Sequence, residues 1–344
     1  AVTGTNGKTT VTTLVREMLA ASGVAAVDAG NTEVPLVEAI DDPATEVFVV
    51  EASSFRLAPL RRFAPRAAAW LNFAPDHQDV HRDLAGYEAA KANVWRGFGP
   101  DRLAVANRDD PVVARHAAAL PRVETFGLDA PGTPGAHWFV DGGTIVTPEG
   151  EALAPTAVLR RSRPHDLANA MAAAATARFV GARADGIVAA LGAFEGLAHR
   201  VERVGERDGV AWYDDSKATT PHATLAAVAG FDRVVLIAGG RNKGIDLSAL
   251  AAAADRLRAV VAIGESAGEI TDAFAGLVPV VEATSMDGAV AAAAAAARPG
   301  DTVLLSPACA SFDWYRGYGA RGDDFVRAAR AAGVRPASEE EPAR

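Results

Sequence analysis

The sequence predicts an α/β protein of two domains, each with a mostly parallel, doubly wound sheet. Short runs of β-branched residues alternate with longer alanine-rich stretches, the pattern of strands joined by helices. A chain of 344 residues, 49% of them hydrophobic, can form the cores of about two domains. The predicted strands are residues 47–51, 67–72, 103–107, 234–238, 260–264 and 302–306. The predicted helices include residues 9–21, 83–95, 247–257 and 286–297.

Other segments define the predicted domain boundary. The Asp-Gly-Gly turn within residues 136–147 predicts a β-hairpin, and a helix over 166–180 follows it. A new strand pair is predicted at 201–207 and 210–214, directly after Gly196-Leu197-Ala198. We therefore place one domain at residues 1–196 and the other at 197–344. Within the second, residues 335–344 are expected to form a disordered tail.

Composition excludes several classes of protein. The single cysteine, Cys309, excludes a disulfide scaffold and indicates a reducing compartment. The net charge of −9, without a basic cluster, argues against a nucleic-acid partner. No signal peptide opens the chain, and the alanine-rich run 289–297 is shorter than the ~20 residues that span a bilayer. We expect a cytoplasmic monomer without a membrane partner.

The first chemical signal is a glycine loop between a strand and a helix. It consists of Gly4, Thr5, Asn6, Gly7, Lys8, Thr9 and Thr10. Backbone N–H groups at such a helix start bind phosphate, Lys8 can reach the β- and γ-phosphates, and the Thr9 hydroxyl can bind Mg²⁺. The general P-loop pattern has a glycine where this chain has Val2, and an ordinary strand–helix turn is the alternative. The Gly-Lys-Thr sequence favours a nucleotide site.

An acidic residue follows another predicted strand. Glu51 lies at the carboxyl end of its strand, where ligands bind in sheets of this kind, so it can meet a metal ion at the loop. The alternative is a helix cap, because Ser53 and Ser54 follow it.

A third cluster contains Asp76, His77, Tyr87 and Lys91. Asp76 and His77 follow a strand, and Tyr87 and Lys91 share one face of the helix 83–95. This position predicts that Lys91 is partly buried, which would lower its pKa and make its neutral amine reactive toward CO₂. A lysine that extends to solvent is the alternative.

The order and spacing of these motifs resemble the Mur ligase family over almost the whole chain. The matching segments are Gly4–Thr10, Asn31, 51–55, Asp76-His77, Tyr87, Lys91, Asn169, 196–200, 214–219 and 239–244. Within the family, segment 306–313 is similar to that of the members that add D-glutamate. Members also lack the glycine at the Val2 position. The chain begins within a strand and lacks the family's N-terminal UDP-sugar-binding domain, so we expect it to be a piece of a longer protein.

The resemblance implies a P-loop-type ATP-binding domain followed by a Rossmann-like, amino-acid-binding domain. It implies that ATP activates the carboxylate of UDP-N-acetylmuramoyl-L-alanine as an acyl phosphate, which D-glutamate then attacks. Transfer of phosphate between two anions requires charge neutralisation. Two Mg²⁺ ions are implied, one at Thr9 and Glu51 and one near His77 and Lys91. In the family, that lysine is carbamylated, which provides an oxygen ligand for a hard cation.

The resemblance also implies roles outside the loop. Asn169 would contact adenine, where the neighbouring position Asp166 is often Asn in the family. Arg200 would contact the ATP phosphates and Asp215 the ribose, with an ion pair as the alternative for these two. Lys217 would approach the transferred phosphate. The substrate-binding positions are Asn31, Thr219, Lys243, Ser311 and the backbone of Tyr318. For Cys309 the sequence favours a small buried residue over a catalytic role.

Two other functions remain open from the sequence. One is another acid–amine ligase of the same fold, similar to folylpolyglutamate synthase or to the diaminopimelate-adding enzyme, although the Asp-Asn-Pro-Arg motif of the latter is absent. The other is a nucleotide-binding fragment without activity. A P-loop kinase is disfavoured because it leaves Lys217 and segment 306–313 unexplained.

Overall fold

In the computed structural model, which describes residues 1–32, 34–77, 80–132 and 135–336, nine strands form the first sheet. They are β1 (Val2–Thr3), β2 (Ala26–Gly30), β3 (Val47–Glu51), β4 (Ala67–Trp70), β5 (Leu103–Asn107), β6 (Val123–Phe126), β7 (His137–Asp141), β8 (Thr144–Val146) and β9 (Ala152–Pro155). Their order is β2-β3-β1-β4-β5-β6-β7-β8-β9. Pairs from β2 to β7 are parallel, and β8 and β9 add antiparallel strands.

Helices cover this sheet. They are α1 (Lys8–Ala21), α2 (Leu36–Ala39), α3 (Ser54–Leu57), α4 (Leu84–Ala92), α5 (Pro111–Ala117), α6 (Pro164–Phe179) and α7 (Ala184–Ala193). Helices α1, α6 and α7 pack against one another. All residues from Ala170 to Ala177 on α6 are buried, and their small side chains allow close packing on both sides.

The second sheet has six strands in the described part of the chain. They are β10 (Glu202–Arg207), β11 (Val210–Asp214), β12 (Val234–Gly239), β13 (Leu257–Ile263), β14 (Val280–Ala283) and β15 (Thr302–Leu305). Their order is β10-β11-β15-β12-β13-β14, in which β10 alone is antiparallel to its neighbour. The helices are α8 (Pro221–Val228), α9 (Ala267–Ala273), α10 (Met286–Ala296) and α11 (Tyr318–Ala331). The predicted α/β fold class is confirmed.

The chain divides into two compact units, Ala1–Glu195 and Gly196–Arg344. We call them unit 1 and unit 2. Each has its own apolar core, and the central strands β4, β5, β12 and β15 are buried on both faces of their sheets. Among the described residues, no helix is both long and apolar enough to cross a membrane.

Several predictions from the sequence need correction. Strand β13 begins at Leu257, three residues before the predicted start. The helix predicted at 166–180 begins at Pro164, because proline is favoured in the first helical turn. The helix predicted at 247–257 is a 3₁₀ helix, Leu247–Arg256. Arg335, the first residue of the predicted tail, exchanges two backbone hydrogen bonds with Glu206 and so belongs to the fold. Residues 337–344 of that tail lie outside the described residues.

Candidate functional site

The glycine loop of unit 1 is held at the carboxyl end of β1 by the end of β4. Gly7, which precedes α1, has φ 85°, a conformation that favours glycine. The Asn72 side chain accepts a hydrogen bond from Asn6 N at 2.9 Å and donates one to Asn6 O at 3.1 Å. Thr5 N also donates to Asn72 O. These hydrogen bonds fix the backbone conformation of the loop, as a phosphate-binding loop requires.

Two lysines meet at one backbone oxygen of this loop. Lys8 Nζ donates to Gly4 O at 2.9 Å, and Lys91 Nζ donates to the same oxygen at 2.7 Å. The Lys91 side chain is 1% exposed, more deeply buried than predicted, and Tyr87 packs against its amine. Burial, and secondarily the charge of Lys8, hold the pKa of Lys91 well below its usual value. The alternative in which Lys91 extends to solvent is wrong.

Helix α4 brings Tyr87 and Lys91 to the loop. Its first turn is capped by Asp83, whose carboxylate accepts from Gly86 N. The Tyr87 hydroxyl lies 3.2 Å from Thr5 Oγ1, and burial raises the pKa of Tyr87 above its usual value. The tyrosine therefore stays neutral and connects the helix to the glycine loop.

Glu51 lies at the end of β3, next to β1. Its side chain is 3% exposed, and Oε1 accepts a hydrogen bond from Asn31 Nδ2 at 3.1 Å. Oε2 is buried without a hydrogen-bond partner among the described residues. Ser53 makes no side-chain capping bond to α3, so the capping alternative fails for Ser53. A buried carboxylate oxygen without a donor indicates a site for a cation.

Asp76 and His77 lie beyond the end of β4. Asp76 is buried and accepts from His77 N at 2.8 Å, and His77 Nε2 lies 3.4 Å from Asp76 Oδ2. His77 adopts φ 55°, which is uncommon for a residue with a side chain, and its ring meets the edge of Phe55. The acidic neighbour and the aromatic contact fix the orientation of the imidazole.

A pocket lies beside the first turns of α1. It is lined by Thr10, Leu14, Leu159, Arg161, Asp166, Ala170, Leu191 and Phe194. Arg161 pairs with Asp166 at 3.3 Å, while Arg161 Nε is buried without a hydrogen-bond partner among the described residues. Asn169, also on α6, lies against the loop, because a Cβ at Gly7 would be 2.7 Å from Asn169 Oδ1.

The donor set at the loop suits Mg²⁺, which prefers oxygen ligands. Thr9 follows Lys8 in the first turn of α1, and the unpartnered oxygen of Glu51 lies at the adjoining strand end. The structure places Lys91 and Lys8 together at Gly4. A neutral lysine is not itself a usual Mg²⁺ ligand, so Lys91 fits a metal site only after modification to an oxygen-bearing group.

In unit 2, four of the predicted residues form two contacts. Lys243 Nζ donates to Thr219 Oγ1 at 3.4 Å. Lys217 Nζ lies 3.9 Å from the centre of the Tyr318 ring. Ser311 is buried, one residue after Ala310, which pairs through its backbone with Arg241 of the Lys243 loop. The structure therefore brings these loops together at the carboxyl ends of β11, β12 and β15.

Asp215 is more enclosed than its predicted ribose contact suggests. It is 6% exposed, Oδ1 accepts from Val201 N, and Oδ2 accepts from Ser306 Oγ at 2.7 Å. Burial raises the pKa of Asp215 to about 7. Cys309 is buried, as predicted, and burial raises the pKa of its thiol to about 11, which disfavours the reactive thiolate.

Next to Arg200, His199 forms a pair with a buried acid. His199 Nδ1 lies 2.7 Å from Asp214 Oδ2, and this hydrogen bond raises the pKa of His199. His199 O accepts from Lys217 N, so the pair also supports the loop that carries Lys217.

Two residues that hold the site together had no role predicted from the sequence. Asn72 fixes the glycine loop through Asn6, and its position as the last residue of a predicted strand was the available signal. Arg321 is buried among the loops of unit 2, and nothing in the local sequence distinguishes it from other arginines on α11.

The fold and the loop define a P-loop nucleotide-binding protein with a second α/β unit. The sequence profile of the Mur ligase middle domain matches residues 2–177, and that of the Mur ligase glutamate ligase domain matches residues 199–309. The chain belongs to the Mur ligase family.

Similar proteins span both units. The UDP-N-acetylmuramoylalanine–D-glutamate ligase of Frankia casuarinae is 49% identical over 96% of this chain and 72% of its own length. The ligase of the same name from Methylococcus capsulatus is 43% identical over the same shares. Among solved structures, MurF from Acinetobacter baumannii has a TM-score of 0.70 at 18% identity and covers 95% of this chain and 76% of its own. This structural likeness supports the fold alone.

Proposed function

We propose that this chain is the ATP-dependent ligase that joins D-glutamate to UDP-N-acetylmuramoyl-L-alanine in the synthesis of peptidoglycan precursors. The observation that carries the proposal is the cluster at the glycine loop, in which Lys8, the buried Lys91 and the unpartnered oxygen of Glu51 converge. Relatives that are 40–49% identical share the name of this activity.

The loop binds the phosphates of ATP. The N–H groups at the start of α1 and the Lys8 ammonium face the β- and γ-phosphates, where they neutralise charge. The nucleoside would enter the pocket beside Thr10, which Asp166 lines, and Asn169 on the same helix would contact adenine. Arg161 Nε is a donor available to it, since it is buried there without a hydrogen-bond partner among the described residues.

Thr9 and Glu51 would hold one Mg²⁺, and His77 and a carbamylated Lys91 a second. Bound Mg²⁺ withdraws charge from the phosphate oxygens. Carbamylation joins the neutral Lys91 amine to CO₂ with loss of one proton. The product is an anionic carbamate whose remaining N–H can still donate to Gly4 O. The lowered pKa of Lys91 supports this step, because the neutral amine is the nucleophile.

Unit 2 binds D-glutamate. Lys243, Thr219, Ser311 and the Tyr318 backbone would bind its two carboxylates, and Lys217 would approach the transferred phosphate. Arg200 and Asp215 would contact ATP phosphate and ribose. The substrate carboxylate takes the γ-phosphoryl group and releases ADP. The amine of D-glutamate then forms the amide and displaces phosphate, with loss of a proton.

A phosphate-release assay tests this proposal. The chain would be incubated with ATP and Mg²⁺, alone, with UDP-N-acetylmuramoyl-L-alanine, with D-glutamate, and with both. Release should require both substrates and should fall to background when L-glutamate replaces D-glutamate. The Frankia casuarinae ligase provides the positive control.

The other functions predict different results. Release with folate and L-glutamate, or with meso-diaminopimelate as the amine, would indicate another acid–amine ligase. Tight ATP binding without release under any substrate combination, while the control enzyme is active, would indicate a nucleotide-binding module and would contradict the proposal.

A further inference from the structure

Arg321 is a fully buried cation in unit 2. It lies one turn into α11, and its side chain is 1% exposed. The guanidinium donates three hydrogen bonds, from Nε to Ser216 Oγ at 3.0 Å, from Nη2 to Ser216 O at 2.8 Å and from Nη1 to Cys309 O at 3.1 Å. One side chain thus connects α11 to two separate loops.

The charge of Arg321 has no ion-pair partner among the described residues, although buried cations usually have one. Burial lowers the pKa of Arg321 only to about 10, so it remains protonated at neutral pH. The carbonyl and hydroxyl oxygens satisfy the donors but do not cancel the positive charge. The buried acid Asp214 and the nearby Asp313 act on this charge without pairing with it directly.

Each group that Arg321 contacts lies within three positions, along the chain, of a residue proposed to bind D-glutamate. Ser216 precedes Thr219 by three positions, and Cys309 precedes Ser311 by two. A Cβ at Gly240 would be 3.1 Å from Arg321 Nη1, and Gly240 precedes Lys243 by three positions.

The fourth proposed D-glutamate position, Tyr318, is connected to Arg321 through Ser216. Ser216 Oγ, which accepts from Arg321 Nε, donates to Tyr318 O at 2.7 Å. Backbone hydrogen bonds between Ala310 and Arg241 connect the loop that carries Ser311 to the loop that carries Lys243. Each of the four proposed D-glutamate positions therefore either lies within three residues of a group next to the buried guanidinium or, for Tyr318, is hydrogen-bonded to it through Ser216.

We infer that Arg321 is a positioning residue for the amino acid substrate: it sets the relative positions of the loops that carry Thr219, Lys243, Ser311 and Tyr318. This inference rests on the proposed function for the identity of the ligand. Lysine cannot replace arginine here. The planar guanidinium donates to Ser216 and to Cys309 from different nitrogens, and a single ammonium cannot reach both residues.

The test compares Arg321→Lys and Arg321→Met with the wild-type chain. Arg327→Lys is the matched control, since Arg327 is on the same helix but exposed, with ion pairs to Asp287 and Asp324. Two quantities are measured: the KM values for D-glutamate and ATP, and amide hydrogen exchange in segments 214–219, 239–244 and 306–313.

Both Arg321 variants should raise the KM for D-glutamate at least tenfold, change the KM for ATP less than twofold, and accelerate exchange in the three segments. The control should change none of these. If Arg321→Met fails to fold, Arg321→Lys carries the test. Unchanged exchange, or equal rises in both KM values, would overturn the inference. If the wild-type chain shows no turnover with D-glutamate, the proposed function fails, and the exchange data still decide whether Arg321 positions the loops.

Discussion

The two units each bury one cation, and the two cations differ in what they can do. Lys91 in unit 1 and Arg321 in unit 2 are both 1% exposed, and neither has an ion-pair partner in the described part of the chain. Lys91 donates to one carbonyl oxygen, which it shares with Lys8. Arg321 donates to three oxygens. Burial lowers the pKa of both, but that of Arg321 only to about 10.

This difference separates a chemical role from a structural one. An amine that loses its proton on burial becomes a nucleophile and can be converted into a metal ligand. A guanidinium keeps its charge at neutral pH, so burial makes it a fixed positive charge with directional donors. Unit 1 therefore contains the group suited to modification, and unit 2 contains the group suited to holding loops in place.

The largest effect should come from Lys8, which shares Gly4 O with Lys91. Lys8→Ala should reduce ATP-dependent turnover by roughly 10³-fold, because the loop loses the cation that, in the proposed function, faces the transferred phosphate. Steady-state phosphate release checks this, with circular dichroism to show that the fold is intact. Arg16→Ala, on the same helix, is the control and should stay active. Near-wild-type turnover in Lys8→Ala would contradict the assignment of the glycine loop as the site that binds the ATP phosphates.

Lys91 tests whether the buried amine is modified. Lys91→Ala should lower ligation by roughly 10²-fold or more, because the proposed second Mg²⁺ would lose an oxygen ligand. Acetate should restore part of the rate by filling the vacated space with a carboxylate. A cationic lysine predicts the opposite pattern, in which Lys91→Arg stays active and acetate has no effect. Kinetics with and without acetate distinguish the two.

A smaller effect is expected from Lys243 in unit 2, whose ammonium contacts Thr219. Lys243→Ala should raise the KM for D-glutamate roughly 10–100-fold, since a charge-assisted contact is lost, and should leave the KM for ATP within about twofold. Arg241→Ala is the control on the same loop, because that side chain pairs with the exposed Glu265. Equal changes in both KM values would assign Lys243 a structural role.

The sequence predicted the fold better than it predicted the contacts. Buried strands such as β3 and β5 were predicted at their observed bounds, because β-branched runs between turn residues are a local signal. Strand β2, with the sequence Ala-Val-Asp-Ala-Gly, lacks such a run and was not predicted. Its place beside β3 depends on pairing along the sheet.

The site shows the same limit. Lys8 and Glu51 stand in motifs with a local chemical meaning, so their positions at neighbouring strand ends followed from the sequence. The full burial of Lys91 depends on Gly4, 87 positions away. That of Arg321 depends on Ser216, 105 positions away. No local pattern contains such contacts.

Asp215 extends the comparison to a buried anion, with the smallest expected effect. Burial raises its pKa to about 7 from 3.8. Below pH 3.8 the carboxyl is protonated in both the folded and the unfolded chain, so its burial does not reduce the free energy of unfolding through ionisation. As pH rises from 3.8 to 7 the unfolded chain ionises first, so stability falls through this window and the penalty is complete above pH 7. Asp215→Asn should therefore stabilise the chain at pH 8 by less than the ~4 kcal/mol that the full pKa difference corresponds to, because the amide must re-form both hydrogen bonds, and the gain should vanish near pH 4.

Scanning calorimetry across pH 4–8 measures this difference. Asp255→Asn, at an exposed position of unit 2, is the control. It should change the midpoint of thermal unfolding only slightly, and by the same amount at every pH. The asparagine can keep the hydrogen bond from Val201 N through its oxygen, while its amide donates to Ser306 Oγ in a reversed bond. A gain that does not change with pH would show that packing, and not the ionisation of Asp215, accounts for the stabilisation. A loss of stability at pH 8 would show that the ionised carboxylate is needed to hold the Val201 turn, because its hydrogen bonds would then outweigh the cost of its burial.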